Sequence, residues 1–305
     1  MTYSFYTVDV FTDTIFGGNQ LAVFPDAEGL SSEIMQKIAA EFNFSETVFI
    51  LPPTVNNTTK QLRIFTPTQE LPFAGHPTLG AAYVLGITDD LINKNNDVNI
   101  IFEEGVGLVT VKIKFENKQP IYTELTSPQL PEFSNKVPSI EELASILSLK
   151  IEDFREDKYS PQAVSCGLPF LFVPLHNREA LKRIQLNSNR WQQILENSWA
   201  SSLYVFCFDP ENEGANIRAR MFAPGLGVIE DPATGSAATA FGGYLGIRET
   251  ANEEIFHWRI EQGFEMGRPS FLEVRTEKVN DKINSIHVGG ASVLVTKGTM
   301  ELPTS

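Results

Sequence analysis

The chain has 305 residues, 42% of them apolar and 20% charged, the balance of a soluble globular protein long enough for two domains with a core each. A net charge of −14 argues against nucleic acid or an anionic membrane surface as a partner. Two isolated cysteines, Cys166 and Cys207, exclude a disulfide framework and read as buried thiols. Met1–Phe5 carries no basic segment and no long apolar run, so the cytoplasm is the expected compartment.

Tyr3–Phe11 and Gln20–Phe24 are β-rich and flank Gly17-Gly18-Asn19, which predicts a hairpin. Ser31-Ser32 opens a helix with Ile34, Ile38 and Phe42 on one face, ending near Asn43. Strands are expected at Ser45–Leu51, stopped by Pro52-Pro53, and at Leu62–Phe65. A helix of small residues then runs from His76 to about Leu85. Ile100–Phe102 and Leu108–Ile113 form a further hairpin around Gly105 and Gly107. The polar, proline-bearing stretch from Asn117 to Pro138 reads as a linker, which divides the chain into an N-terminal lobe, 1–118, and a C-terminal lobe, 119–305, with about the last ten residues able to return to the first.

In the second lobe Ser139-Ile140-Glu141-Glu142 is a capping box for a helix to about Leu149. Pro169–Leu175 and Leu203–Phe208 read as strands, with a helix at Asn189–Glu196 carrying Trp191, Ile194 and Leu195. Arg220–Phe222 follows, then a turn at Ser236 with its own helix of small residues. Ile255–Ile260, Phe271–Val274, Ile283–Val288 and Ser292–Val295 are closing strands. Many strands with about one long helix per half imply an α+β fold, a mixed curled sheet or open barrel around a helix.

The chain repeats itself. Arg63-Ile64-Phe65-Thr66-Pro67 leads into Leu71-Pro72-Phe73-Ala74-Gly75-His76-Pro77. Arg220-Met221-Phe222-Ala223-Pro224 leads into Glu230-Asp231-Pro232-Ala233-Thr234-Gly235-Ser236. The two arginines lie 157 residues apart (220 − 63), and Phe49…Pro53 matches Phe206…Pro210 at the same offset (206 − 49). Each copy thus supplies a Gly-containing helix start, and two such starts facing a cleft would grip an anion through unpaired backbone N–H groups.

Glu46 shares a strand face with Val48 and Ile50, and a carboxylate at the end of an apolar face is partly desolvated, as a general acid or base requires. The plain alternative is a solvated strand-end residue. At an offset of 157 Glu46 falls on Leu203, so one half alone carries this carboxylate. His76, before Pro77, is either the cap of its helix or a hydrogen-bonding and proton-shuttling group. Asp231 either caps the second helix or orients His76 or a substrate amine. Gly75, Thr234, Gly235 and Ser236 present N–H groups and hydroxyls to an anion, and Ser45 adjoins Glu46. Asn19 is a turn residue or reaches the same cleft. There is no Gly-x-Ser-x-Gly elbow, no dinucleotide or Walker fingerprint, and no metal-ligand spacing among the four histidines. Proton transfer by carboxylate and imidazole remains, with a bound carboxylate as handle and no cofactor.

At these residues the chain resembles the phenazine-biosynthesis PhzF-like family, related in fold to diaminopimelate epimerase. The resemblance runs through Val8–Phe11, Gly18–Phe24, Ser45-Glu46-Thr47, Phe65-Thr66-Pro67, Glu70–Thr78, Phe222-Ala223-Pro224, Glu230–Ala237, Gln262-Gly263, Met266–Ser270 and Val288-Gly289-Gly290. It implies two pseudo-symmetric halves, each a curled sheet around a central helix, a homodimer, and no cofactor. It also implies that Glu46 is the acid/base and that His76, Asp231 and Ser236 line the site. The epimerases of this fold use a cysteine in each half, where this chain has Ala74 and Thr234, which argues against a two-thiol racemase. Gln20 stands where the family often has proline. The expected activity is a cofactor-independent isomerase of a small carboxylic acid. The rivals are an epimerase or racemase of an amino or hydroxy acid, and a binding protein that kept the cleft without the chemistry.

Overall fold

The computed structural model describes residues 1–88, 96–251 and 254–302. The chain divides into two compact units, one of Met1–Pro128 with the segment from Val288 onward, the other Gln129–His287. No helix among the described residues is long and apolar enough to cross a membrane.

The first unit starts with Thr2–Val10 (β1), Asn19–Phe24 (β2), Ser32–Phe42 (α1), Glu46–Leu51 (β3) and Lys60–Phe65 (β4). Glu70–Leu71 (β5), Gly75–Thr88 (α2), Val98–Glu104 (β6), Gly107–Glu116 (β7) and Gln119–Thr126 (β8) complete it. Ser31 caps α1 by accepting from the Ile34 N–H, and Met35, Ile38 and Ala39 pack its inner stripe on Phe24, Phe49 and Phe65. Helix α2 has no such stripe: apart from Tyr83 and its last two residues it is buried all round, the signature of a helix enclosed by its sheet. The enclosure depends on Gly80, where an added Cβ would lie 2.4 Å from Leu21 Cδ2 and 2.9 Å from Val10 Cγ2.

The second unit contains Glu132–Ser134 (β9), Ile140–Leu147 (α3), Gln162–Ser165 (β10), Pro169–Pro174 (β11), Arg178–Lys182 (α4), Ser188–Ile194 (α5) and Ser202–Cys207 (β12). It continues with Ile217–Ala223 (β13), Val228–Asp231 (β14), Gly235–Gly246 (α6), Glu254–Gln262 (β15), Ser270–Val279 (β16) and Lys282–Gly290 (β17). The Ser139–Glu142 capping box is present. Helix α6 is enclosed like α2: Gly242 faces Ile286, Val274 and Thr276, while Phe241 and Tyr244 stack among Phe172, Tyr204 and Phe206. Helices α3, α4 and α5 cover the other face, over Leu171, Val173, Leu203, Val205 and Phe222. Finally Ser292–Glu301 (β18) pairs antiparallel with β1, back in the first unit.

The pairings repeat in order. β1–β2 is antiparallel, β2–β3 parallel, β3–β4 and β4–β5 antiparallel, β4–β6 parallel and β6–β7 antiparallel. β10–β11, β11–β12, β12–β13, β13–β14, β13–β15 and β15–β16 follow the same sequence. Each unit is therefore one mixed sheet curled about one helix.

Two expectations are corrected. The stretch read as a linker contains β8, paired antiparallel with β7, and the short β9, so the division falls at Pro128 rather than at 118. The offset also changes within the repeat. Thr47 lies opposite Phe65 and Leu203 opposite Phe222, so β3 and β12 correspond at 156 (203 − 47), not 157. The connection after β12 spans residues 208–216, one residue more than 52–59 after β3, and absorbs the difference. Glu46 therefore corresponds to Ser202 and Phe49 to Val205. A one-residue slip swaps strand faces: Phe49 lies under α1, whereas Phe206 faces α6. The duplicated scaffold still carries this carboxylate in one copy alone.

Candidate active site

In the first unit four expected residues meet at the start of α2. Ser45 Oγ donates to Asn19 Oδ1 at 3.1 Å, and Asn19 Nδ2 stands 3.3 Å from His76 Nδ1. On the far side of the ring, His76 Nε2 lies 3.4 Å from Glu46 Oε2. The parallel pairing of β2 and β3, with Leu21 opposite Glu46, places Asn19, Ser45 and Glu46 at one end of the sheet. Helix α2 begins at Gly75, so His76 lies inside the first turn rather than at its cap.

Burial holds the His76 imidazole down at about 3, against a hydrogen bond with the Gln20 backbone that favours the charged ring. The spacing to Glu46 is that of an ion pair, but an ion pair needs an imidazolium that burial denies. The contact is between a neutral ring and a carboxyl group whose side chain keeps 17% of its surface open. A carboxyl that is open to a ligand and backed by a buried imidazole suits proton transfer.

In the second unit Asp231, Thr234, Gly235 and Ser236 cluster around the start of α6. Thr234 takes the cap position, correcting the reading of Asp231 as the cap. The Thr234 hydroxyl donates to Asp231 Oδ2 at 2.5 Å. Gly235 and half-buried Ser236 open the helix, whose first N–H groups have no partner within it.

The supporting residues were the least visible from sequence. Gln262, fully buried, donates to the Asp231 carbonyl at 2.8 Å and to Thr234 Oγ1 at 3.0 Å, and accepts from the Thr234 N–H at 3.3 Å. Tyr204 is buried beside Asp231; burial first, then that carboxylate, push its phenol upward. Each unit braces the arm before its helix with a bidentate pair, Arg63–Glu70 at 2.7 and 2.6 Å and Arg220–Glu230 at 2.8 and 2.8 Å. Glu103 accepts from the Thr54 and Val55 N–H groups and Glu261 from those of Glu211 and Asn212, each tying down a connection. The available signal was the repeat itself, since Glu103-Glu104-Gly105 recurs as Glu261-Gln262-Gly263.

A family model described as phenazine biosynthesis-like protein matches residues 8–298. The chain belongs to this family. The trans-2,3-dihydro-3-hydroxyanthranilate isomerase of Pseudomonas chlororaphis is 33% identical over 305 residues, 98% of this chain and 100% of that one. A protein of Mesorhizobium japonicum named as an uncharacterized isomerase is 35% identical over 302 residues, 98% and 99% of the two chains. The crystal structure of the Bacillus anthracis phenazine biosynthesis protein of the PhzF family matches with a TM-score of 0.87 at 25% identity, over 99% of this chain and 100% of that one. A hydroxyproline epimerase from Agrobacterium vitis shares the fold, with a TM-score of 0.62 at 12% identity over 98% and 91%.

The chain is thus an isomerase of the phenazine biosynthesis-like family, with the α+β fold of the epimerases. As a member it carries Ala74 and Thr234 just before its two helix starts, and its two cysteines are buried, Cys207 among the apolar side chains of the outer core. Burial raises the Cys207 thiol to about 11, the state of an inert thiol rather than a nucleophile.

Proposed function

We propose that the protein isomerises a small carboxylic acid without a cofactor, Glu46 taking a proton from an activated carbon and returning it elsewhere on the same molecule. The observation that carries the reading is the Glu46–His76 contact at the donor-rich start of α2. The Asn19 amide stands at Nδ1, and the other ring nitrogen faces the Glu46 carboxyl. Ser45, Asn19 and His76 thus form a chain that ends against the carboxyl and orients it. The start of α2 at Gly75-His76, beside Glu46, holds the substrate's carboxylate on its first N–H groups.

The test is deuterium uptake from deuterated water. The substrates are trans-2,3-dihydro-3-hydroxyanthranilate, named for the Pseudomonas relative, and a panel of small amino and hydroxy acids. A turned-over acid gains deuterium at a new carbon as its double bond migrates, whereas uptake at one carbon with inversion would make the enzyme an epimerase. Glu46→Gln should lower turnover at least about 10²-fold while ligand binding stays nearly intact. Retained turnover in that variant excludes Glu46 as the acid/base.

A further inference from the structure

Buried at the end of β6, Glu104 takes no part in the proton chain, yet it touches the helix that carries His76. Thr78 Oγ1 lies 2.7 Å from Glu104 Oε1 and 2.8 Å from the Ala74 carbonyl. A hydroxyl has one proton and the carbonyl can only accept, so an ionised Glu104 would leave one of these close oxygen pairs without a hydrogen. A proton on Glu104 fills both, running from Oε1 to Thr78 and from Thr78 to Ala74. Glu104 Oε2 is buried with no hydrogen-bond partner among the described residues, a poor place for half of a carboxylate's charge and a tolerable one for a carbonyl-like oxygen.

The repeat supplies an independent observation. Gln61 lies opposite Glu103 and Arg218 opposite Glu261, so Glu104 and Gln262 hold the same station in the two sheets. The next residue confirms it: a Cβ on Gly105 would meet Pro72 Cα at 2.8 Å, and one on Gly263 would meet the Pro232 carbonyl oxygen at 2.5 Å. At that station the second unit uses an amide, the neutral isostere of a protonated carboxyl, to brace its own helix start through Thr234.

We propose that Glu104 is a neutral, proton-bearing carboxylic acid that donates through Thr78 to the Ala74 carbonyl, and so positions the first turn of α2 for the substrate's carboxylate. The inference rests on the functional reading above. Burial raises this carboxyl to about 8, the Thr78 hydroxyl working against it. Glu103 and Arg63 on the neighbouring strands are engaged elsewhere. Glu103 of β6 is held by Thr54, Val55 and Thr58, Arg63 of β4 by Glu70 of β5, and Lys60 at the start of β4 is half-buried; His76 of α2 is neutral, and β7 sets Gly107 opposite Glu104. Once ionised, Glu104 would place a negative charge behind the N–H groups that receive the substrate anion, opposing it.

Infrared spectroscopy of the full chain tests the protonation. The wild type should show a protonated-carboxyl band at pH 7 that fades on alkaline titration, is absent from Glu104→Gln and shifts in Thr78→Val. A spectrum unchanged by either variant overturns the proposal, and Thr78→Val decides it if Glu104→Gln does not fold. Calorimetric titration with anthranilate as probe tests the positioning role. Wild-type affinity should fall about tenfold from pH 7 to 10, while Glu104→Gln binds as the wild type does at pH 7 and loses that fall. Parallel pH profiles would overturn the role. If anthranilate binds to neither protein at any pH, the functional reading fails, and the infrared band still decides the protonation of Glu104.

Discussion

Acid should unfold this protein partly through His76, and the effect can be worked from the structure. The ring titrates near 6.5 in an unfolded chain and at about 3 when buried here. Below 6.5 the unfolded chain therefore binds a proton that the folded chain refuses, and stability falls as pH falls until the folded ring titrates too. Each pH unit in that window costs about 1.36 kcal/mol. The loss is about 2 kcal/mol at pH 5 and on the order of 5 kcal/mol at pH 3, against a typical domain stability of about 5–15 kcal/mol. His76→Gln keeps a polar side chain that cannot charge. Urea unfolding of both proteins at pH 7 and pH 5 should show the wild type losing about 2 kcal/mol more than the variant over that interval. Parallel losses would refute the reasoning and mean that His76 already carries its proton in an ion pair with Glu46.

Two further perturbations bear on the scaffold. Glu261→Gln removes the carboxylate 2.9 Å from Arg218 Nη1, leaving Arg218 its contact with Glu265 at 3.0 Å, and weakens the hold on the Glu211–Asn212 backbone, so it should cost about 2 kcal/mol; an unchanged urea midpoint would show the pair to be idle. Gly242→Ala should lower the melting temperature even though alanine favours a helix by about 1 kcal/mol. The new Cβ would meet Ile286 Cγ2 at 2.8 Å and Val274 Cγ1 at 2.9 Å, and overpacking of that kind costs about 1–3 kcal/mol. A raised melting temperature would mean that α6 sits looser in its sheet than these distances show.

Much of the architecture could be read from residue order because its signals are local. Ser31 and the Ser139–Glu142 box mark their helices through one or two side-chain bonds to the next turn, and both are present. The small, apolar helices at Gly75 and Gly235, each preceded by the same arginine-led strand, announce a duplicated helix inside a sheet. The motifs around Glu46, His76 and Asp231 led to the right family without any geometry.

What resisted reading depended on partners distant in the chain. Residues 119–126 look like a polar linker because Pro120 and Thr123 occupy buried positions; pairing with β7 and the packing of Pro120 against Gly86 make them a strand. The match of Phe49 to Phe206 follows aromatic identity, but strand period two makes a slip of one residue a change of face, and pairing alone reveals it. Glu104 reads as an ordinary charged residue beside a turn. Its meaning lies in the distances to Thr78 and in its burial, and both arise when β6 folds against α2, because desolvation and proton sharing belong to a surrounding shape and not to a stretch of chain.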